Sequence, residues 1–524
     1  MMTFNLVDQP WLLVVSQDWQ RRDVSLIELF TTWETLKEIQ ADNPPTTLAI
    51  YRFLLAVLHR AYQGPKDVDH WEEIQQDNGK KAIAYLNQWR DRFDLFHPDY
   101  PFMQDTALTK DKAVPIYAIH TMSTSKVFSH EHEWSGYRVS PPEAARLMVR
   151  LQSVDITSLR AFYPPQSSGN RSAVNTPTIN NSNVLVVGTT LKGTLLLNLM
   201  QYYPEGEIPS VVSGEDLPTW EMSYAGKPAK TVPNGYIHYL TYPWRRLNLV
   251  PDSDGMSQLA ITMGNSFPDE ISPQQWECGI AFHEDKPVRF SPTRQLWRNA
   301  HSFLQSAEKN HRPRIIDWLA TLHAEGLVED VVHLQVFGMC ADKAKPLACS
   351  VERFSAPAIY ITDKQLGASL KTMIAITEDN QHIFRFFQSS PYYELAKGLN
   401  PPTTNSKAIG EQARQLAEIL DGESRYWATL DRAFQTLLRE LPADKTVDGN
   451  GITYGNTKLP EWTKTVQSAA RDAFTASISP IRNYEARAKA LRALEWKLSD
   501  LRATPEEKEA KKAKAAKKKD KVSQ

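Results

Sequence analysis

The chain has 524 residues, more than one ordinary core accommodates, so two or three domains are expected. Hydrophobic residues at 41% and aromatics at 10%, with 14 Trp, exclude a disordered chain, and no apolar run reaches membrane-spanning length: Val184–Leu199 is interrupted by Gly188, Thr189, Thr190, Lys192 and Gly193. The formal net charge of −1 excludes a generally basic surface; the tail Pro505–Gln524 carries eight lysines against four acids, which leaves about −5 on the rest, so any nucleic-acid contact has to rest on local patches.

In chain order, Met1–Val15 has no basic stretch ahead of an apolar run and carries Asp8, Pro10 and Trp11, which suits an early strand (Asn5–Val15) and not a secretory signal. Leu26–Glu38 then reads as helical. Thr46–Ala61, with Leu48, Ile50, Phe53, Leu54, Val57 and Leu58, predicts a strongly apolar helix. Ser140-Pro141-Pro142 predicts a helix start that continues through Glu143–Ser153. Val184–Val187 predicts a short strand and Thr194–Gln201 a helix; Leu334–Phe337 and Ala358–Thr362 predict further strands.

After about Asp363 the pattern turns to long helices: Leu366–Gln388, Ala408–Leu441, Leu459–Ile478 and Tyr484–Arg502, with connections near Ser389–Pro391 or Asn400–Pro402, at Pro442–Gly455 and at Ser479–Asn483. The economical arrangement is an α+β chain: a large mixed α/β domain over 1–362, a C-terminal four-helix bundle over 363–503, and a lysine-rich tail over 504–524 that is frayed or disordered. Cys278, Cys340 and Cys349 form no CxxC pair, which fits a reducing cytoplasm and gives neither a disulfide framework nor a zinc ribbon.

Several blocks, in order, resemble the CasA family, the large subunit of the type I-E CRISPR Cascade surveillance complex, over nearly the whole chain. They are Asn5-Leu6-Val7-Asp8-Gln9-Pro10-Trp11-Leu12, Pro101-Phe102-Met103-Gln104, Ser140-Pro141-Pro142-Glu143-Ala144-Ala145 and Gly193-Thr194-Leu195-Leu196-Leu197-Asn198-Leu199. Leu217-Pro218-Thr219-Trp220-Glu221, Trp244-Arg245-Arg246-Leu247 and Leu296-Trp297-Arg298 continue the series. The resemblance implies a protein without an active site or cofactor of its own. It would read a short motif flanking the target in double-stranded DNA, help open the duplex for R-loop formation, contact crRNA-bearing Cascade subunits, hold the displaced single strand on its bundle and dock a helicase–nuclease.

The resemblance also implies sites. The motif-reading loop falls at Ser123–Tyr137, where Lys126, Phe128, Ser129, His130 and His132 match its position, and the Lys, Ser and His side chains can donate to minor-groove acceptors. The family's Asn at the reading position is absent, and Ser129 or His130 falls nearest. A glycine-loop equivalent that would approach the DNA backbone is Ser167-Ser168-Gly169-Asn170-Arg171, with one glycine where the family has several. The wedge falls at Lys343-Ala344-Lys345, Lys343 standing where the family has a glutamine, and Lys286 is the candidate minor-groove lysine.

Other features have plainer readings. Arg414, Arg425, Arg432 and Arg439 recur at seven- or eleven-residue intervals, a spacing suited to a single-strand track, but Glu411, Glu418, Asp421, Asp431 and Glu440 beside them favour a solvated, ion-paired face. His130-Glu131-His132-Glu133 is the alternative, a metal-dependent hydrolase site, although no third ligand follows nearby. A protein-only scaffold is the other alternative. There is no Walker loop, GxSxG, HExxH or paired-Cys motif.

Overall fold

Asn43-Pro44-Pro45-Thr46 starts the helix around which the first part of the molecule is built. The Asn43 side chain accepts from the Thr46 amide at 2.9 Å and prolines fill the first turn, where no amide partner is needed. This helix, Pro44–Tyr62, is buried on nearly every side, which is why its apolar residues run continuously instead of in a stripe. Phe53 at its centre meets Trp11, Phe93, Phe102 and Trp220, with ring centroids 5.4–6.4 Å apart.

The computed structural model describes residues 3–108, 113–120, 122, 136–159, 172–202, 214–223, 227–253, 255–306, 309–400, 405–449 and 451–502. The chain divides into two compact units, Met1–Thr362 and Asp363–Gln524. The first mixes helices with small antiparallel sheets. One sheet places Leu12–Ser16 between Arg21–Val24 and Leu36–Ile39. Here the expected helix Leu26–Glu38 is corrected: it stops at Thr32, and Leu36–Ile39 leaves it to pair with Val14–Ser16, a non-local partner that local periodicity does not reveal. Ala358–Thr362 is also not a strand. Ile359–Thr362 forms a helical turn with Tyr360 and Ile361 buried, and a short apolar run has no period that separates the two.

Two further elements of this unit matter below. Arg245–Asp252 and Gly255–Met263 form a hairpin flanked by Ala113–Pro115. Helix Pro141–Ser153 starts in a capping box between Ser140 and Glu143.

The second unit is helical: Lys364–Gln381, Pro391–Leu399, Ser406–Leu420, Gly422–Glu440, Lys458–Ile478 and Tyr484–Arg502. The expected continuous helix Ala408–Leu441 is interrupted at Asp421, which takes φ 45° and caps both Ser406–Leu420 and Gly422–Glu440. Gly422 permits the break, since a Cβ there would lie 2.7 Å from the Tyr392 hydroxyl. The stretch read as a connection, Pro442–Gly455, contains a hairpin of Lys445–Asp448 and Gly451–Tyr454. It is tied down by the Tyr454 hydroxyl, which donates at 2.6 Å to Asp363, the N-cap of Lys364–Gln381.

Candidate nucleic-acid interface

Lys126, Phe128, Ser129, His130 and His132 lie outside the described residues, as do Ser167, Ser168, Gly169, Asn170 and Arg171. The segments from which both stretches spring are described. Before the first, helix Tyr117–His120 is held by Arg150, a buried guanidinium that donates to the Ile119 carbonyl at 2.5 Å. His120 Nδ1 lies 2.5 Å from the Tyr137 hydroxyl, so the two ends of the stretch are joined. Burial, with Arg150 nearby, holds the His120 imidazole below its ordinary range, which favours the neutral ring. After the stretch, Arg138 pairs with Asp252 at 3.0 Å and Val139 bridges to Met256.

The second stretch leaves strand Ser158–Leu159 and returns as Ser172–Ala173, the two paired with each other. Arg245, 1% exposed, ties them at the base. Its Nε donates to Asp155 at 2.6 Å, and its Nη2 to the carbonyls of Val174 at 2.7 Å and Ile156 at 3.2 Å. A buried guanidinium persists only with its donors satisfied, and here the acceptors are the backbone on both sides of the stretch. Gln152 exchanges two hydrogen bonds with the Arg245 backbone, at 2.8 and 3.0 Å. Helix Pro141–Ser153 therefore supports one root through Arg150 and the other through Gln152. A cleft of about 540 Å³ opens beside the second root, lined in part by Val174, Asn175, Lys230, Arg245 and Asn265.

Lys343 and Ala344 form the two-residue turn of the longest hairpin, Val331–Asp342 with Lys345–Pro357. Lys343 takes φ 53°, the left-handed conformation that such tight turns require. Lys343 and Lys345 are exposed, and neither makes an ion pair among the described residues; Asp342 is the third charge at the tip. The third strand, Asn183–Val187, covers only His333–Phe337, so the tip half has to be braced otherwise. Asn180 does this: its amide donates to Met339 O at 2.8 Å, and its side chain exchanges hydrogen bonds with the Ala341 backbone at 2.7 and 3.2 Å. The ring of Phe290 sits directly on Gly338, where a Cβ would fall 1.9 Å from it.

Lys286 follows a separate tight turn at Glu284–Asp285, both with positive φ, in a hairpin with Phe282–His283. Its segment runs on to the same brace, since Val288 O accepts from Ser182 N at 3.0 Å and Phe290 N donates to Asn180 O at 3.2 Å. Lys286 and the wedge hairpin thus share one frame. Sequence reading missed Asn180, Phe290 and Gly338. The polar run Asn180-Asn181-Ser182-Asn183, set directly before the buried strand residues Val184–Val186, was the available signal.

The arginine track is divided. Arg414, on Ser406–Leu420, pairs with Glu411 at 2.7 Å and Glu418 at 3.7 Å, while Arg425, Arg432 and Arg439 belong to the next helix beyond the break at Asp421. Among the described residues no group of three His, Cys, Asp or Glu is placed to hold a metal, and no helix is long and apolar enough to cross a membrane. His130–Glu133 lies outside them.

The family model for CRISPR-associated protein Cse1 matches residues 5–473. A curated relative, CRISPR-associated protein CasA/Cse1 of Thermus thermophilus, is 26% identical over 509 residues, covering 90% of this chain and 92% of the relative. A crystal structure of CasA from Thermus thermophilus superposes with a TM-score of 0.76 at 24% identity, over 95% of this chain and 99% of that one. Cse1 from Acidimicrobium ferrooxidans gives 0.77 at 21% identity, over 96% and 99%. A chain of a CRISPR RNA-guided surveillance complex gives 0.69 at 19% identity, over 96% and 100%. With a family match spanning most of its length, the chain belongs to the CRISPR-associated Cse1 family, also written CasA.

Proposed function

We propose that this chain is the large subunit of an RNA-guided Cascade complex, where it reads a protospacer-adjacent motif in double-stranded DNA and lowers the cost of parting the first base pairs. The observation that carries the reading is the braced hairpin. A long two-stranded arm runs past its third strand to a two-lysine tip, and Asn180 fixes it to the frame that also holds Lys286. A wedge has to be rigid, because a flexible one spends its contact energy on its own ordering instead of on the duplex.

Guide pairing reads most of the target, and strand exchange is nearly balanced, so a short motif contact and a few kcal/mol of help at the first base step suffice. The loop roots fit this division of labour. The family's reading loop, Lys126–His132, and its backbone loop, Ser167–Arg171, would be presented from the two roots that helix Pro141–Ser153 supports. The helical unit would contact neighbouring subunits and the displaced strand, and a helicase–nuclease would dock on the assembled protein. The protein would perform no bond-breaking chemistry itself, and its three free thiols suit a cytoplasmic complex.

The test is reconstitution with the guide-bearing subunits. The full complex should select a short flanking motif from a pool of duplexes randomised beside a constant target, and the complex lacking this chain should not. Assembly without any motif selection would favour a protein-only scaffold.

A further inference from the structure

Strand Lys345–Pro357 is one residue longer than its partner requires. Cys340 pairs with Ala348 and Ala341 with Pro346, so Leu347 is an extra residue with no partner opposite it. Such a β-bulge re-aims a side chain out of the regular ladder. Leu347 is 66% exposed, the most exposed large apolar side chain of the first unit among the described residues. It does not stand alone: beyond the bulge the strand alternates so that Cys349 and Val351 are exposed, with Val351 at 40%. On a one-sided strand these positions would ordinarily be polar. Leu347 thus stands as an exposed apolar group within a few residues of the cationic turn at Lys343 and Ala344.

We infer that Leu347 is the side chain that enters the opened base step, with Lys343 and Lys345 holding the phosphates beside it. This rests on the reading of the hairpin as the duplex wedge and names the group that does the wedging. The occupant follows from charge and chemistry together. Minor-groove proteins part base steps with apolar side chains, Leu among them, flanked by cations that meet the backbone. Lysine is a poor wedge, because its ammonium stays hydrated and only its stem is apolar. The bulge places a branched apolar group two residues from the lysine turn, on a strand whose partner is pinned by Asn180 and Phe290. A protein partner would instead favour an apolar strip without unpaired lysines beside it.

The experiment uses the reconstituted complex and a duplex carrying the flanking motif that the wild-type complex selects, with 2-aminopurine at the first target positions. Leu347→Ala should slow the rise in 2-aminopurine fluorescence about tenfold, and Leu347→Met should restore most of it. A target already mismatched over those positions should bind both variants like wild type. The comparison variant replaces Lys343, Ala344 and Lys345 with Gly-Ser-Gly. If that replacement slows opening while Leu347→Ala does not, the wedge reading stands and the assignment to Leu347 is wrong. If neither slows opening, both fail. If Leu347→Ala weakens matched and mismatched targets alike, or prevents assembly of the complex, Leu347 is a protein contact and the inference is overturned. Because the side chain is exposed, the melting temperature of Leu347→Ala should match wild type, which separates these outcomes from misfolding.

Discussion

The two units solve the placement of charge in opposite ways. Among the described residues every buried charged side chain lies in the first unit, from Glu38 through Arg52, Arg146, Arg150, Asp155, Arg245 and Arg246 to Glu277 and Arg298. In the second unit the buried polar residues are Thr377, Asn380, Ser390, Gln467 and Ser477, and its ion pairs, such as Arg471 with Glu495, lie near the surface. Regular helices satisfy their own backbone, so the second unit needs only apolar stripes. The first unit has to hold irregular segments, and buried guanidiniums with several donors satisfy many carbonyls at once. The lesson is that buried charge in this protein marks where loops are being aimed.

That contrast breaks most visibly at Arg245. Arg245→Met removes the tie across both roots of the 160–171 stretch and leaves Asp155 buried without it, so a loss of about 3–5 kcal/mol is expected in the first unit. Hydrogen exchange should show lost protection around Asp155 and Thr176, with the helices of the second unit unchanged. Uniform loss across both units would contradict the local role.

Gly338→Ala should cost about 1–3 kcal/mol, since the new methyl group collides with Phe290. The double substitution with Phe290→Leu should recover part of that cost, which denaturant titration of the two single variants and the double would reveal.

Two buried imidazoles sharpen the comparison by pH. Burial holds His59 and His238 at about 4, below their ordinary value of 6.5, and His59 Nδ1 lies 2.9 Å from the Gly64 carbonyl. The unfolded chain takes up protons first, so stability is full above pH 6.5 and falls as the pH drops toward 4. The slope is at most about 1.4 kcal/mol per pH unit for each ring. His59→Phe should flatten that slope in melts between about pH 7 and 4.5; an unchanged slope would place the acid sensitivity elsewhere. The smallest effect belongs to the second unit, where Arg471→Ala should change stability by less than about 1 kcal/mol by denaturant titration, because the pair is half in water.

The family was legible for a physical reason. The matching blocks supply Trp11, Phe102 and Trp220, which close around Phe53 and are nearly fully buried. Such blocks identify a core, and with it the fold, but say little about sites. Helices with local signals were legible too: Asn43 before two prolines, and Ser140 with Glu143. Strand Leu36–Ile39 was not, because its partner Val14–Ser16 lies about twenty residues back, beyond the reach of local pattern. The brace at Asn180 escaped because its bonds go to Ala341, Met339 and Phe290, over a hundred residues on. Leu347 escaped because only the register of the hairpin shows that it is an extra residue.

The central claim, that the first unit opens DNA with a rigid arm, is tested most directly by shortening the arm, with residues 342–347 replaced by Asn-Gly, in the assembled complex. R-loop formation should be followed on a fully paired target and on one mismatched over its first positions, across a range of salt. A wedge predicts a large loss on the paired target and a much smaller one on the mismatched target, whose opening cost is already removed. Equal losses on both, with a shallower salt dependence, would mean that the whole tip only attracts phosphate and would contradict the claim.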